Sequence, residues 1–69
     1  MNLLEHYIQE VHSIEDVTEE YENVVNRKPE QHVLKIIMTV NCYGNVERVI
    51  KFFLKSEWEH SLEQGFYLA

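Results

Sequence analysis

The segment His32–Cys42, HVLKIIMTVNC, decides the fold, because its apolar side chains alternate along the chain. In an extended chain, successive side chains point to opposite faces. One face then carries Leu34, Ile36, Met38, Val40 and Cys42. The other face is mixed, as expected for a sheet with one solvated side. The alternation therefore predicts a β-strand over about residues 32–42.

The residues that follow this strand fit two interpretations. As a helix, residues 46–55 place Val46, Val49 and Ile50 on one apolar stripe. As a strand, they pair with the first strand and satisfy backbone amides that would otherwise lack partners. Gly44 and Asn45 can adopt the positive φ that a tight loop requires. We expect an antiparallel β-hairpin of residues about 32–42 and 46–54. The alternative is one helix over 46–64, with strand 32–42 paired to a second copy of the chain.

The N-terminal third shows a helical pattern of apolar residues. At 100° per residue, one arc carries Leu3, Leu4, Tyr7, Ile8 and Val11. The pattern continues to Val25 with a repeat of about 3.5 residues, which is typical of a packed or coiled helix. It predicts a long amphipathic helix over about 2–26, ended by a loop at 27–31 around Pro29. Ser13 and Asp16 also fit a capping box, so two helices joined by a bend are an alternative.

The last segment predicts a short helix. Ser56, with Glu59 three residues later, fits a helix start, and Gly65 fits a helix end. We expect this helix over about 56–64, with Trp58 facing the core. The sequence as a whole predicts a single small α+β domain over residues 1–69, built from a long helix, a hairpin and a short helix.

Composition restricts the classes of function. The chain has no apolar run of about 18 residues, so we expect no membrane contact. The acidic N-terminus lacks the basic start of a signal peptide, and the single cysteine, Cys42, fits a reducing compartment. We expect the cytoplasm of a host cell. The histidine and cysteine spacings match no zinc or catalytic motif, so we expect no metal, no cofactor and no enzymatic activity.

The charges are unevenly distributed. The net charge is −6, and residues 1–23 carry acidic side chains but no Lys or Arg. The middle of the chain is mildly basic and the C-terminal part is again acidic. Both ends would repel phosphate groups, so direct binding of nucleic acid is not expected. A host protein with a basic surface is the partner that the acidic residues favour.

Four acidic residues are candidates for such binding. Glu15, Asp16, Glu19 and Glu20 cluster on one face of the predicted N-terminal helix. This face is either a solvated surface that keeps the protein soluble or a docking surface for a basic partner. Tyr43, at the predicted hairpin tip, is a candidate aromatic anchor. The sequence thus predicts a non-enzymatic binding protein, with a small structural or regulatory homodimer as the alternative.

Three segments carry a resemblance to a known group of proteins. They are the N-terminal MNLLEHYIQEV, the strand and Gly-Asn turn IIMTVNCYGN, and the closing helix with Trp58. Together they resemble the small acidic early proteins of phages and prophages of Gram-positive bacteria, which include anti-CRISPR proteins that act as DNA mimics. The resemblance implies an inhibitor of a host protein such as a defence nuclease. Because residues 35–55 are basic here, mimicry would be limited to the N-terminal segment.

Overall fold

The computed structural model describes residues 3–69. The elements follow the order β1 (Glu5–Asp16), α1 (Thr18–Val25), β2 (Val33–Cys42), β3 (Asn45–Leu54), α2 (Lys55–Gln64) and β4 (Phe66–Leu68). The strands form one antiparallel sheet in the order β3-β2-β1-β4, curled into a half-barrel. β2 is therefore a central strand, and β3 lies at one edge of the sheet.

One face of the sheet, called the inner face below, packs against α2. Ile36, Met38 and Val40 of β2 are fully buried there. Trp58 of α2 and Tyr67 of β4 cover them and complete the core. Ile8, Leu34, Val49 and Phe53 pack around this cluster. The core is small, so folding depends on a few well-packed side chains.

The predicted N-terminal helix over 2–26 is wrong. Residues 5–16 form β1, only residues 18–25 are helical, and residue 2 lies outside the described residues. The pairing of β1 with β2 contains two bulges, between Ile8 and Glu10 and between Val11 and Ser13. Each bulge adds one residue to the strand. Inner-face residues therefore recur three apart, as Ile8, Val11 and Ile14, which imitates the periodicity of a helix.

The predicted capping box of Ser13 and Asp16 is also wrong. Both residues lie in β1, where Ser13 is opposite Ile37 and Asp16 is opposite Leu34. In a hairpin of residues 32–54, the second strand hydrogen-bonds the backbone groups on only one side of β2. The backbone groups on the other side also need partners, and a helix packed on a sheet face cannot supply them. β1 supplies them along most of its length, which is the physical reason for a strand here.

The hairpin and the closing helix occupy nearly the predicted positions. β2 and β3 pair without a break from Val33–Leu54 to Cys42–Asn45. The alternative of one helix over 46–64 is wrong, because residues 45–54 are a strand and α2 begins at Lys55.

The start of α2 differs from the prediction: Glu57 accepts a hydrogen bond from the Leu54 N–H at 2.9 Å. Gly65 ends α2 with φ of 90° and donates its N–H to Ser61 O at 2.8 Å.

α1 is short and lies against the outer face of the sheet, the face opposite α2. It has eight residues, none of them buried, and ends at Asn26 in the left-handed conformation. An isolated helix of this length is unstable in water, so α1 depends on its contacts with the sheet. Neither helix in residues 3–69 has the length and apolar character needed to cross a membrane.

Candidate functional site: a groove between α1 and the outer face of the sheet

An open apolar groove of about 500 Å³ lies where α1 meets the outer face of the sheet. Its lining consists of Val17, Glu20, Tyr21, Val24, Lys35 and Phe52, and we call it the outer groove. Lys35 and Phe52 are opposite each other on β2 and β3, so they form its floor. Tyr21 and Val24, one turn apart on α1, form its wall. Val24 is 84% exposed and Phe52 is 63% exposed, so this apolar surface is largely open to solvent.

The apolar surface continues beyond the groove along β3. Ile50 and Val46 follow Phe52 on the outer face, each more than half exposed. Arg48 lies between them and is opposite Thr39. The contiguous apolar surface therefore comprises Phe52 and Ile50, and Arg48 separates Val46 from it. Contiguous exposed apolar side chains are typical of an interaction surface, whereas single exposed apolar residues are ordinary.

The structure separates the four acidic candidates onto two elements. Glu15 and Asp16 end β1, and Glu19 and Glu20 lie in the first turn of α1. The prediction that they share one helix face is therefore wrong, although all four are exposed in one corner of the molecule. Glu20 alone among them lines the outer groove. Glu15 lies opposite Lys35 in the sheet, and Glu20 and Lys35 both line the groove.

Asp16 is engaged in holding α1 to β2. Its Oδ1 accepts hydrogen bonds from the Thr18 N–H and hydroxyl, and its Oδ2 lies 2.8 Å from His32 Nδ1. The Thr18 hydroxyl in turn accepts the Val33 N–H at 3.0 Å. We call Asp16, Thr18 and His32 the Asp16 cluster. The hydrogen bonds from Thr18, with help from His32, lower the pKa of Asp16 below its usual value.

The Asp16 cluster contains the residue types of a catalytic triad, a hydroxyl, a histidine and a carboxylate, but it lacks the triad's geometry. The Thr18 hydroxyl donates its proton to Asp16 and lies 3.4 Å from His32 Nδ1. An activated hydroxyl instead donates to the base that removes its proton. The hydroxyl also accepts the Val33 N–H, which occupies one of its two lone pairs. The geometry therefore indicates a structural connection between α1 and β2.

Tyr43 lies at the other end of the sheet. It forms the two-residue hairpin turn with Gly44, at φ of 51° and 88°, and is 73% exposed. Gly44 takes a positive φ, as expected, but the second residue with a positive φ is Tyr43 and not Asn45. Asp16 is opposite Leu34, nine residues before Tyr43 on the same hairpin, so roughly 30 Å separates Tyr43 from the acidic corner. The structure therefore does not bring Tyr43 and the acidic residues into one site.

The inner face holds a second group of polar side chains. The rings of His6 and Tyr67 stack at 5.1 Å, and Lys51 Nζ lies 5.9 Å from the centre of the Tyr67 ring. Burial, with the nearby Glu47 carboxylate, raises the pKa of Tyr67. Cys42 is half-buried at the end of β2 and has a free thiol. Within residues 3–69, no three His, Cys, Asp or Glu side chains cluster as a metal site would require.

Sequence reasoning missed the groove residues Tyr21, Val24, Lys35 and Phe52. Phe52 could have been recognised, because Val46, Ile50 and Phe52 alternate along a strand and cannot face the same core as Val49 and Phe53. The helical apolar pattern that continues to Val25 includes Tyr21 and Val24, so it predicts that they pack inward and not that they line an open groove. Comparison of the chain with protein-family models, with curated proteins and with solved structures found no match.

Proposed function

We propose that this protein is a non-enzymatic binding module that inhibits or modulates a larger host protein with a basic surface. The outer groove carries the proposal. It is apolar, open, and bordered by carboxylates at the corner where β1 meets α1. An apolar segment of the partner would enter the groove, while basic side chains beside that segment would contact Glu20 and Glu15.

The shape of the surface favours a protein over a small molecule. Binding pockets for small molecules are concave and offer several convergent polar groups. The outer groove is open, its charged groups are limited to Glu20 and Lys35, and the apolar surface of its floor extends to Ile50. Such a surface suits an amphipathic helix, which places apolar side chains at three- and four-residue spacing into a groove.

The charge around the groove favours a basic partner. Five carboxylates, from Glu15, Asp16, Glu19, Glu20 and Glu22, lie within eight successive residues. Lys35 is the one basic residue that lines the groove. A negative surface of this kind accelerates association with a positive one and repels phosphate. Nucleic-acid-binding proteins present such positive surfaces, in keeping with the resemblance to phage inhibitors of host nucleases.

Binding to a defined probe tests the proposal. The probe is a fluorescent helical peptide of about 18 residues, made of Leu and Lys with an apolar face, and a Leu–Glu peptide of the same pattern serves as its counterpart. We expect the Leu–Lys peptide to bind more tightly, with a preference that diminishes at about 0.5 M salt. Val24→Glu should weaken binding about tenfold, since burial of a valine contributes about 1.5 kcal/mol. Glu20→Lys should weaken it at low salt.

Matched variants on α2 separate the groove from general surface effects. Leu62→Glu and Glu63→Lys introduce the same residues in place of an apolar and an acidic side chain at exposed helix positions away from the groove. We expect both to bind the Leu–Lys peptide as the unaltered protein does, apart from a small, salt-sensitive effect of net charge. The proposal would be contradicted if the α1 and α2 variants lost equal affinity for the Leu–Lys peptide, or if the unaltered protein bound both peptides with equal affinity.

A further inference from the structure

The edge of the sheet formed by β3 is regular and open. β3 pairs only with β2, and its ten pairs run from Leu54 to Asn45 without a bulge. An edge strand of this length presents a row of backbone N–H and C=O groups that can pair with another strand. A strand that pairs with this edge would therefore bind at a different surface from a helix in the outer groove.

The direction of each backbone group on β3 follows from two hydrogen bonds at its C-terminal end, where it meets α2. The Lys55 N–H donates to His32 O, whereas the Leu54 N–H turns away from β2 and donates to Glu57. Antiparallel strands alternate between residues that face the partner strand and residues that face away. The backbone groups of Val46, Arg48, Ile50 and Phe52 consequently point out of the sheet.

The other long edge of the sheet is protected. Beyond Ile8, the outward side of β1 is not covered by β4, which pairs only with Glu5–Tyr7. This part of β1 contains both bulges and the acidic residues Glu10, Glu15 and Asp16. Bulges and charges are the usual protection of an edge against pairing. β3 also carries charges, but Glu47, Arg48 and Lys51 are of both signs and the strand has no bulge. Of these two edges, β3 is therefore the one suited to accept a strand.

We infer that β3 pairs antiparallel with β3 of a second copy of this chain, making one continuous eight-stranded sheet. The charges of β3 are self-complementary in one register. When Val49 lies opposite Val49 of the second copy, Glu47 lies opposite its Lys51, and Lys51 lies opposite its Glu47. On the outer face, Val46 then lies beside Phe52 of the second copy. Neither Glu47 nor Lys51 forms an ion pair within residues 3–69.

The neighbouring registers lack this complementarity. Only registers that pair outward-pointing residues with each other can form the hydrogen bonds. Shifting the pairing by one step in one direction places Arg48 opposite Arg48 of the second copy. A shift in the other direction leaves Glu47 opposite Phe53 and Lys51 opposite Val49. Opposite charges across strands stabilise and like charges destabilise, so the register centred on Val49 is favoured.

Sedimentation measurements with charge variants test this inference. We expect a monomer–dimer equilibrium with a dissociation constant on the order of 10–100 µM, since a contact between two strand edges is a small interface. Glu47→Lys alone and Lys51→Glu alone should each weaken dimerisation at least about tenfold. An equimolar mixture of these two variants should form heterodimers, because every facing pair then has opposite charges. The double variant Glu47→Lys with Lys51→Glu should dimerise as the unaltered protein does.

The same measurements define the contrary results. A monomer at about 500 µM, or dimerisation unaffected by both single variants, would overturn the inference. Failure of the mixture and of the double variant to restore dimers would also overturn it, provided that circular dichroism shows the variants folded. Glu47 and Lys51 lie on the inner face, away from the outer groove. Their variants should keep binding the Leu–Lys peptide, so failure of the dimer leaves the proposed function intact.

Discussion

At the scale of the residue, Tyr43 holds a conformation that suits other amino acids better. Its φ of 51° lies in the left-handed region, which costs most L-residues about 1–2 kcal/mol and costs Asn less. Tyr43 is also 73% exposed, so its side chain contributes little packing in return. The left-handed conformation of Tyr43 therefore costs stability that its side chain does not recover by packing.

Tyr43→Asn should therefore raise the free energy of unfolding by about 0.5–1 kcal/mol, because Asn tolerates the left-handed conformation of this turn. Urea denaturation measures the change, and Tyr43→Phe is the control that keeps both the ring and the strain. A less stable Tyr43→Asn variant would show that the ring packs against the sheet. If Tyr43 anchors a partner, the Asn variant should lose that binding while it gains stability.

At the scale of the element, the attachment of α1 depends on the ionised state of Asp16. Hydrogen bonds from Thr18 and a contact with His32 lower the pKa of Asp16 from its ordinary value of 3.8. A carboxyl group with a lowered pKa in the folded state stabilises that state above its ordinary pKa. This contribution is lost as the pH falls below about 3.8 and through the lowered pKa of the folded protein.

Asp16→Asn should reduce this pH dependence. In the unaltered protein, we expect the α1 amides to exchange faster with deuterium, relative to the amides of β2, as the pH is lowered from 5 to 2. The Asn variant should show a smaller change over that range, because its side chain does not titrate. Glu63→Gln, on α2, is the control and should behave as the unaltered protein does. Equal pH dependence in both variants would contradict the role of the Asp16 cluster.

The N-terminal element shows where periodicity misleads. A strand with bulges at every third position presents inner-face residues at a spacing of three, and a helix does nearly the same. Apolar pattern alone therefore could not distinguish β1 from a helix. The backbone N–H and C=O groups on the second side of β2 could have indicated a strand, because the hairpin partner β3 hydrogen-bonds only one side of β2.

At the scale of the whole molecule, the predictable parts are those set by local pattern. The alternation in HVLKIIMTVNC predicts β2, a turn at Gly44 predicts the return as β3, and Gly65 predicts the end of α2. The acidic corner was visible as charge in the sequence. The outer groove was not, because it arises only when α1 lies beside Phe52 and Lys35, which are distant from α1 in sequence.

The central claim is that a basic, amphipathic helix binds in the outer groove. Titration of ¹⁵N-labelled protein with the Leu–Lys peptide, followed by amide chemical shifts, tests it most directly. We predict that the largest shifts fall on residues 17–25 and on Lys35 and Phe52, and that the Leu–Glu peptide produces much smaller ones. Shifts concentrated on α2 or on the Tyr43 turn, or no shifts at saturating peptide, would contradict the account.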